Sequence, residues 1–176
     1  MRFIPTRLPG VYLIEPERLE DDRGFFARVW CRQEFEAQQL DTRLVQCSLS
    51  FNRLKGTLRG LHYQDEPYPE TKVVRCTSGA IYDVALDLRR ASSTFKRWVA
   101  VELTAANHNM LYIPAGVAHG LLTLEDNTEV FYQISEFYHP ECARGVRWND
   151  PAFNIDWPMK PVVISPKDQL YLDFDI

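Results

Sequence analysis

The sequence has no surplus of positive charge. Its 20 Lys and Arg residues are outnumbered by 24 Asp and Glu, giving a net charge of -4. A protein that neutralises many phosphates of a duplex carries a basic excess. Nucleic acid is therefore not an expected partner, although a few local arginines can still hold one or two phosphates. Also missing is any uncharged apolar run near the roughly 20 residues that a membrane span needs. The opening MRFIPTRLPGVYLIEP has charges and prolines where a signal peptide would need a continuous apolar stretch. The four cysteines, Cys31, Cys47, Cys76 and Cys142, contain no CxxC pair. In a chain with no export signal they read as reduced thiols. No repeat, low-complexity tract or linker interrupts the 176 residues, about the size of one domain. These absences predict a soluble cytoplasmic protein, one domain over residues 1–176, with no membrane partner.

What is present is ordinary globular composition, 45% hydrophobic and 25% charged, with an aromatic content of 12% that favours strands and pocket walls. The strongest periodicity is strand-like. In AIYDVALDL, Ile81, Asp83, Ala85 and Asp87 point one way while Tyr82, Val84, Leu86 and Leu88 point the other. KVVRC, RWVAVEL, NMLYIP and EVFYQISEFY are comparable short runs, separated by Gly, Pro, Asn and Ser. The only helical stretch before the last fifteen residues is CRQEFEAQQL. Many short strands and little helix predict an all-β sandwich or barrel. The segment YHPECARGVRWNDPAFNIDWPMKP loses alternation but keeps aromatics, and is expected to wrap the barrel as ordered loop. Ser165-Pro166-Lys167-Asp168 then reads as a helix start, with Ser as N-cap, Pro at the first position and an acid three residues on.

Two segments carry histidines in suggestive settings. GTLRGLHYQ, with His62, and IPAGVAHG, with His119, resemble the first and second motifs of the cupin β-barrels. Metal-binding cupins usually place a second His two residues after the first, where this chain has Gln64, an uncharged and poor ligand. Glu66 or Glu70 could substitute, but no metal and no other cofactor is expected.

Each remaining candidate has a plain structural reading beside a chemical one. The pleat puts His62 with Gly60 and Gln64, small or polar neighbours that suit a pocket wall; it is either a satisfied structural histidine or a general base. His119, flanked by Gly116 and Gly120, has the same two readings. Lys72 opens a strand and is either a solvated lysine or, turned inward, an oxyanion stabiliser. Tyr132 shares a face with Val130 and Ile134, as a core aromatic or a proton donor opposite a histidine base. Asp168 fits a capping box, or a carboxylate that fixes the tautomer of His62. Arg23 in DDRGFF and Arg59 in LRGLH are phosphate candidates by guanidinium geometry, although Asp21 and Asp22 offer Arg23 an ordinary ion pair.

Taken together, FIPTRLPGVYLIEP, DDRGFF, TLRGLHYQ, KVVRCTSGAIYDVALDLR, SSTFKRWVAVEL, IPAGVAHGLLTL, WNDPAFNIDWP and SPKD resemble the dTDP-4-dehydrorhamnose 3,5-epimerase family, a metal-free branch of the cupins. The resemblance runs almost end to end. It implies a jelly-roll barrel, a homodimer, a nucleotide-sugar substrate and a cofactor-free isomerase of deoxysugar biosynthesis. It implies that His62 is the base, Asp168 its partner, Lys72 the enolate stabiliser and Tyr132 the acid. Arg23 and Arg59 fall on pyrophosphate-contacting positions and Gln46 on a nucleotide-side glutamine. Phe26 and Tyr138 fall on aromatic positions near the base, and His119 on the pocket histidine of the second motif. Arg28, Ser48 and Ala143 stand where the family commonly has Glu, Asn and Glu.

The implied chemistry follows from a ketone at C4, which acidifies the hydrogens on both C3 and C5. Three rivals stand beside double epimerisation. One is a single-site epimerase, another a non-catalytic nucleotide-sugar binder, and the third a metal-dependent cupin enzyme.

Overall fold

A computed structural model describes residues 1–175 of the chain. In chain order it has strands β1 (Arg2–Pro5), β2 (Tyr12–Glu15), β3 (Arg18–Asp21) and β4 (Gly24–Ala27), then helix α1 (Arg32–Ala37). Strands β5 (Gln46–Asn52), β6 (Thr57–Gln64), β7 (Lys72–Ser78), β8 (Ala80–Asp87) and β9 (Trp98–Thr104) follow. The chain continues through β10 (Met110–Ile113), β11 (Val117–Thr123), β12 (Thr128–Ile134), β13 (Ala143–Gly145), β14 (Val163–Ile164) and helix α2 (Pro166–Gln169).

The strands form two main sheets, ordered β1-β2-β10-β7-β12-β5 and β13-β6-β11-β8-β9, with β14 also lying against β6. Every pairing is antiparallel except β14 with β6. Between the sheets lies a core of Val74, Cys76, Leu111 and Val130 from the first and Ile81, Ala85, Leu103 and Leu121 from the second. This is the jelly-roll sandwich of a cupin, as the strand pattern and motifs predict.

The alternation along β8 separates two apolar layers. Ile81 and Ala85 face the inner core, while Val84 and Leu86 face outward. The outward layer is covered by Val146, Trp148, Phe153, Ile155, Trp157 and Phe174, so the aromatic C-terminal segment does wrap the sandwich. It is pinned by Trp157 Nε1, which donates to the Trp148 carbonyl at 2.9 Å. Helix α1 forms within the predicted stretch and buries Phe35 edge-on against Phe3 at a centroid distance of 5.3 Å. All four cysteines are free thiols. No helix among the described residues is long and apolar enough to cross a membrane.

The short β3–β4 hairpin stands apart as its own two-stranded sheet. Phe25 leans on His108 at 5.0 Å between ring centroids, and Arg18 caps the Phe25 ring at 5.0 Å. Leu19 and Phe26 on the same hairpin remain 69% and 67% exposed.

Candidate active site

The site is built around an irregularity in β6. Opposite β11, His62 pairs with His119 and Arg59 with Leu121, with a register shift between them. One strand thus has an extra residue, and the phase of alternation changes across Gly60 and Leu61. Leu61 packs into the outer layer, while both Arg59 and His62 line the pocket. Strict alternation would have put them on opposite faces. Gly60 allows this close approach: it has φ of +112°, and a Cβ there would lie 2.6 Å from the His119 carbonyl oxygen.

Along the outer edge of β6, β14 pairs with Thr57 and Leu58 and β13 with residues His62–Gln64. Asp168 reaches that edge between them. Its Oδ2 accepts from the Gly60 N–H at 3.3 Å, and its Oδ1 is 2.6 Å from His62 Nε2. The predicted capping motif is half realised: Ser165 caps α2, its Oγ accepting from the Asp168 N–H at 3.1 Å. The Asp168 carboxylate, rather than turning back to Ser165 N–H, goes to His62. Burial pushes the Asp168 carboxyl up, but the hydrogen bond and charge of His62 and the Gly60 N–H more than reverse this and hold it below the usual range. The carboxylate is nearly buried while His62 stays 41% exposed to the pocket.

The pocket, about 790 Å³, opens between the sheets. His62, Arg59 and His119 reach it from one sheet, and Lys72, Tyr132 and Ser50 from the other; α2 supplies Asp168 and Lys167. Lys72 is not a solvated strand-end lysine: its side chain is 12% exposed and its Nζ lies 2.7 Å from Glu70 Oε1. Tyr132 packs against the core yet lines the pocket. Burial first, and then the negative charge of Asp83, raise its phenol well above the usual tyrosine range. Beneath it His119 contacts the Tyr132 ring edge-on at 6.0 Å and its Nε2 lies 2.7 Å from buried Asp83. The Arg59 guanidinium is anchored by Asn52 Oδ1 at 2.7 Å.

Three predicted residues fall outside this wall. Gln46 holds the rim instead, its Oε1 accepting from the N–H of the pocket-lining Tyr138 at 2.9 Å. Arg23 pairs with Asp21 on the exposed β3–β4 hairpin, the plain reading of that residue, and Phe26 lies on the same hairpin. Neither lines the pocket of its own chain. Among the altered positions Ser48 and Ala143 line the pocket, whereas Arg28 turns to Glu34 at 3.6 Å.

Two more pocket residues, Lys167 and Glu70, lie outside the candidate set the sequence offers, in which Glu70 figures only as a substitute metal ligand. The signals were available: Lys167 neighbours Asp168 in the capped turn, and Glu70 precedes Lys72 by the strand repeat of two. Gln64 is committed to protein contacts, donating to the Tyr68 and Phe137 carbonyls and accepting from the His139 N–H. Among the described residues no three His, Cys, Asp or Glu side chains gather as a metal site.

Comparison with known proteins bears on the family and fold of the whole chain. The family model described as dTDP-4-dehydrorhamnose 3,5-epimerase matches residues 5–175. The chain belongs to the dTDP-4-dehydrorhamnose 3,5-epimerase family. A family member from Shigella flexneri is 42% identical over 179 residues, covering 99% of this chain and 98% of its own length. The crystal structure of the dTDP-4-dehydrorhamnose 3,5-epimerase of Bacillus anthracis, with TDP and PPi bound, superposes with a TM-score of 0.94 at 39% identity, over 98% of this chain and 99% of that one. The dTDP-6-deoxy-D-glucose-3,5-epimerase of Legionella pneumophila, in complex with dTDP-4-keto-L-rhamnose, gives a TM-score of 0.88 at 37% identity, over 95% and 89% of the two chains. The epimerase likeness thus extends over nearly the whole jelly roll, pocket included.

Proposed function

We propose that this protein converts dTDP-4-dehydro-6-deoxy-D-glucose to dTDP-4-dehydro-L-rhamnose by inverting C3 and C5. The observation that carries the reading is the pairing of His62 with Asp168 on one wall of a pocket whose facing sheet presents Lys72 and Tyr132. Deprotonation alpha to a ketone needs a base, an enolate stabiliser and an acid on the opposite face. The four side chains supply these parts. His62, oriented by Asp168, removes the proton from C5 or C3, and the electron pair moves onto the C4 oxygen. Lys72 donates a hydrogen bond to that oxyanion. Tyr132 then delivers its proton to the opposite face of the carbon. Exchange with solvent returns a proton to the Tyr132 phenolate and removes one from His62, leaving the enzyme unchanged. The raised Tyr132 phenol is in its acid form throughout the neutral range.

Arg59 is suited to the pyrophosphate from within the same chain, and Arg23 and Phe26 from a second one. The β3–β4 hairpin that holds them is exposed and apolar at Leu19 and Phe26, which favours a homodimer with each hairpin reaching the partner's pocket. Four free thiols agree with a cytoplasmic setting.

Incubation of the protein with dTDP-4-dehydro-6-deoxy-D-glucose in heavy water, followed by NMR, tests the reading. Deuterium at both C3 and C5 is the expected result. Label at one carbon makes this a single-site enzyme, and no label from a folded protein overturns the epimerase reading.

A further inference from the structure

Glu70 stands outside the four-residue machinery, yet it faces the same pocket. Its Oε1 lies 2.7 Å from Lys72 Nζ, and the two side chains are only 13% and 12% exposed. It shares with Asp168 the distinction of being a carboxylate among the pocket-lining residues. An ammonium has three N–H donors. One is taken by Glu70, and a second reaches the His62 carbonyl oxygen at 3.5 Å. Two anchors on one nitrogen fix where the third N–H points. Without them the four-carbon lysine stem would sample many rotamers.

Resting on the epimerase reading, we propose that Glu70 is a positioning residue, whose carboxylate pins the Lys72 ammonium so that its remaining N–H meets the C4 oxygen of the substrate. A donor fixed in advance needs no reorganisation when the oxyanion forms. Glu70 also neutralises a cation that would otherwise lie unpaired in a nearly closed part of the pocket before substrate arrives. The His62 carbonyl ties Lys72 to the strand of the base, so one short network sets both the proton acceptor and the oxyanion donor. Because the enolate exists only along the reaction path, loss of Glu70 affects turnover far more than ground-state binding.

The test compares Glu70→Ala and Glu70→Gln in the wild-type chain and in a Lys72→Met background. Glu70→Ala is expected to lower kcat about tenfold with KM changed by less than about twofold. Glu70→Gln, whose amide oxygen still accepts from the ammonium, is expected to recover much of the loss. In the Lys72→Met background, Glu70→Ala is expected to have no further effect on the residual deuterium exchange. Wild-type kcat in Glu70→Ala, or an equal loss in both backgrounds, overturns the proposal.

A second readout does not depend on activity. In protein with 15N-labelled lysine side chains, a pinned and shielded Lys72 ammonium gives an observable 15N–H signal, identified by its loss in Lys72→Met. Disappearance of that signal in Glu70→Ala supports the pinning, and its persistence overturns it. A wild-type protein that exchanges no deuterium ends the epimerase reading, while the ammonium signal still decides the pinning.

Discussion

The His62 imidazole and the Asp168 carboxylate meet at 2.6 Å although 106 positions separate them in the chain. The carboxylate is also tied to Gly60 N–H, two residues before His62, so it fixes both the ring and the strand that holds it. Replacement by Asp168→Asn preserves the shape and removes the charge that favours the imidazolium formed on proton abstraction. kcat should fall by roughly 10²-fold or more, with dTDP affinity nearly unchanged. Steady-state kinetics beside a dTDP titration check this, and wild-type turnover in the variant would remove Asp168 from the mechanism.

Tyr132 is assigned the proton-donating face, and its removal separates the two half-reactions. Tyr132→Phe leaves His62, Asp168 and Lys72 in place, so enolate formation persists while delivery to the opposite face fails. Inversion should fall by about 10²–10⁴-fold, with solvent deuterium entering C3 or C5 faster than the product appears. Since burial, followed by Asp83, raises the phenol, the wild-type rate should show no loss up to pH 10 from Tyr132 ionisation. NMR of the sugar in heavy water separates exchange from inversion.

Gly60 is where the pocket geometry is most exposed to a small change. A Cβ there would lie 2.6 Å from the His119 carbonyl oxygen and 2.7 Å from Gly120 Cα, on a backbone with φ of +112°. Both contacts are with main chain, which cannot swing away. Gly60→Ala should cost on the order of 3 kcal/mol or more of stability, seen as a lowered urea midpoint. A midpoint equal to wild type would mean that β6 and β11 can separate at little cost.

How far the sequence carried this picture depends on the length scale of each signal. The two-sided alternation of β8 and the Ser165-Pro166 helix start lie within a few residues and were legible. The same capped turn left two readings of Asp168 open, a cap or a partner of His62, and only the fold, which brings the two together across 106 positions, decides for His62. The bulge in β6 was hidden, because adding one residue leaves no mark except Gly60 while reversing which neighbours share a face. Arg59 and His62 become pocket partners only through that reversal. The motif resemblance singled out Arg23 and Phe26 without saying where the hairpin that holds them would stand in space.

Asp87 gives a stability test away from the chemistry. Its carboxylate takes bonds from Arg89 Nε and Nη2, both at 2.8 Å, and from the Ser92 and Thr94 hydroxyls at 2.6 and 2.7 Å. Burial pushes the carboxyl up, but these partners hold it at about 2. The folded value is thus depressed below the ordinary 3.8. The stability it contributes is complete above that value and is lost as pH falls through about 2. By linkage this is worth on the order of 2 kcal/mol. Asp87→Asn should lower the urea midpoint at pH 7, and the gap from wild type should narrow between pH 4 and pH 2. A gap independent of pH would assign the loss to shape rather than charge.

The exposed β3–β4 hairpin leads to a test with a distinctive number. If Arg23 serves the partner's pocket, His62→Ala and Arg23→Ala chains are each impaired alone but complement one another when subunits exchange. A mixed dimer has one pocket with an intact His62 from the Arg23→Ala chain and an intact Arg23 from the His62→Ala chain; its other pocket lacks both. Random mixing in equal amounts makes about half the dimers mixed, with half of their pockets intact, so activity should rise to about a quarter of wild type. If Arg23 served its own chain, each pocket would retain one defect and mixing would restore nothing. Measuring turnover before and after subunit exchange, with sedimentation to establish the dimer, distinguishes the two. A monomer at assay concentration would remove the shared pocket and leave Arg59 as the pyrophosphate arginine within the chain.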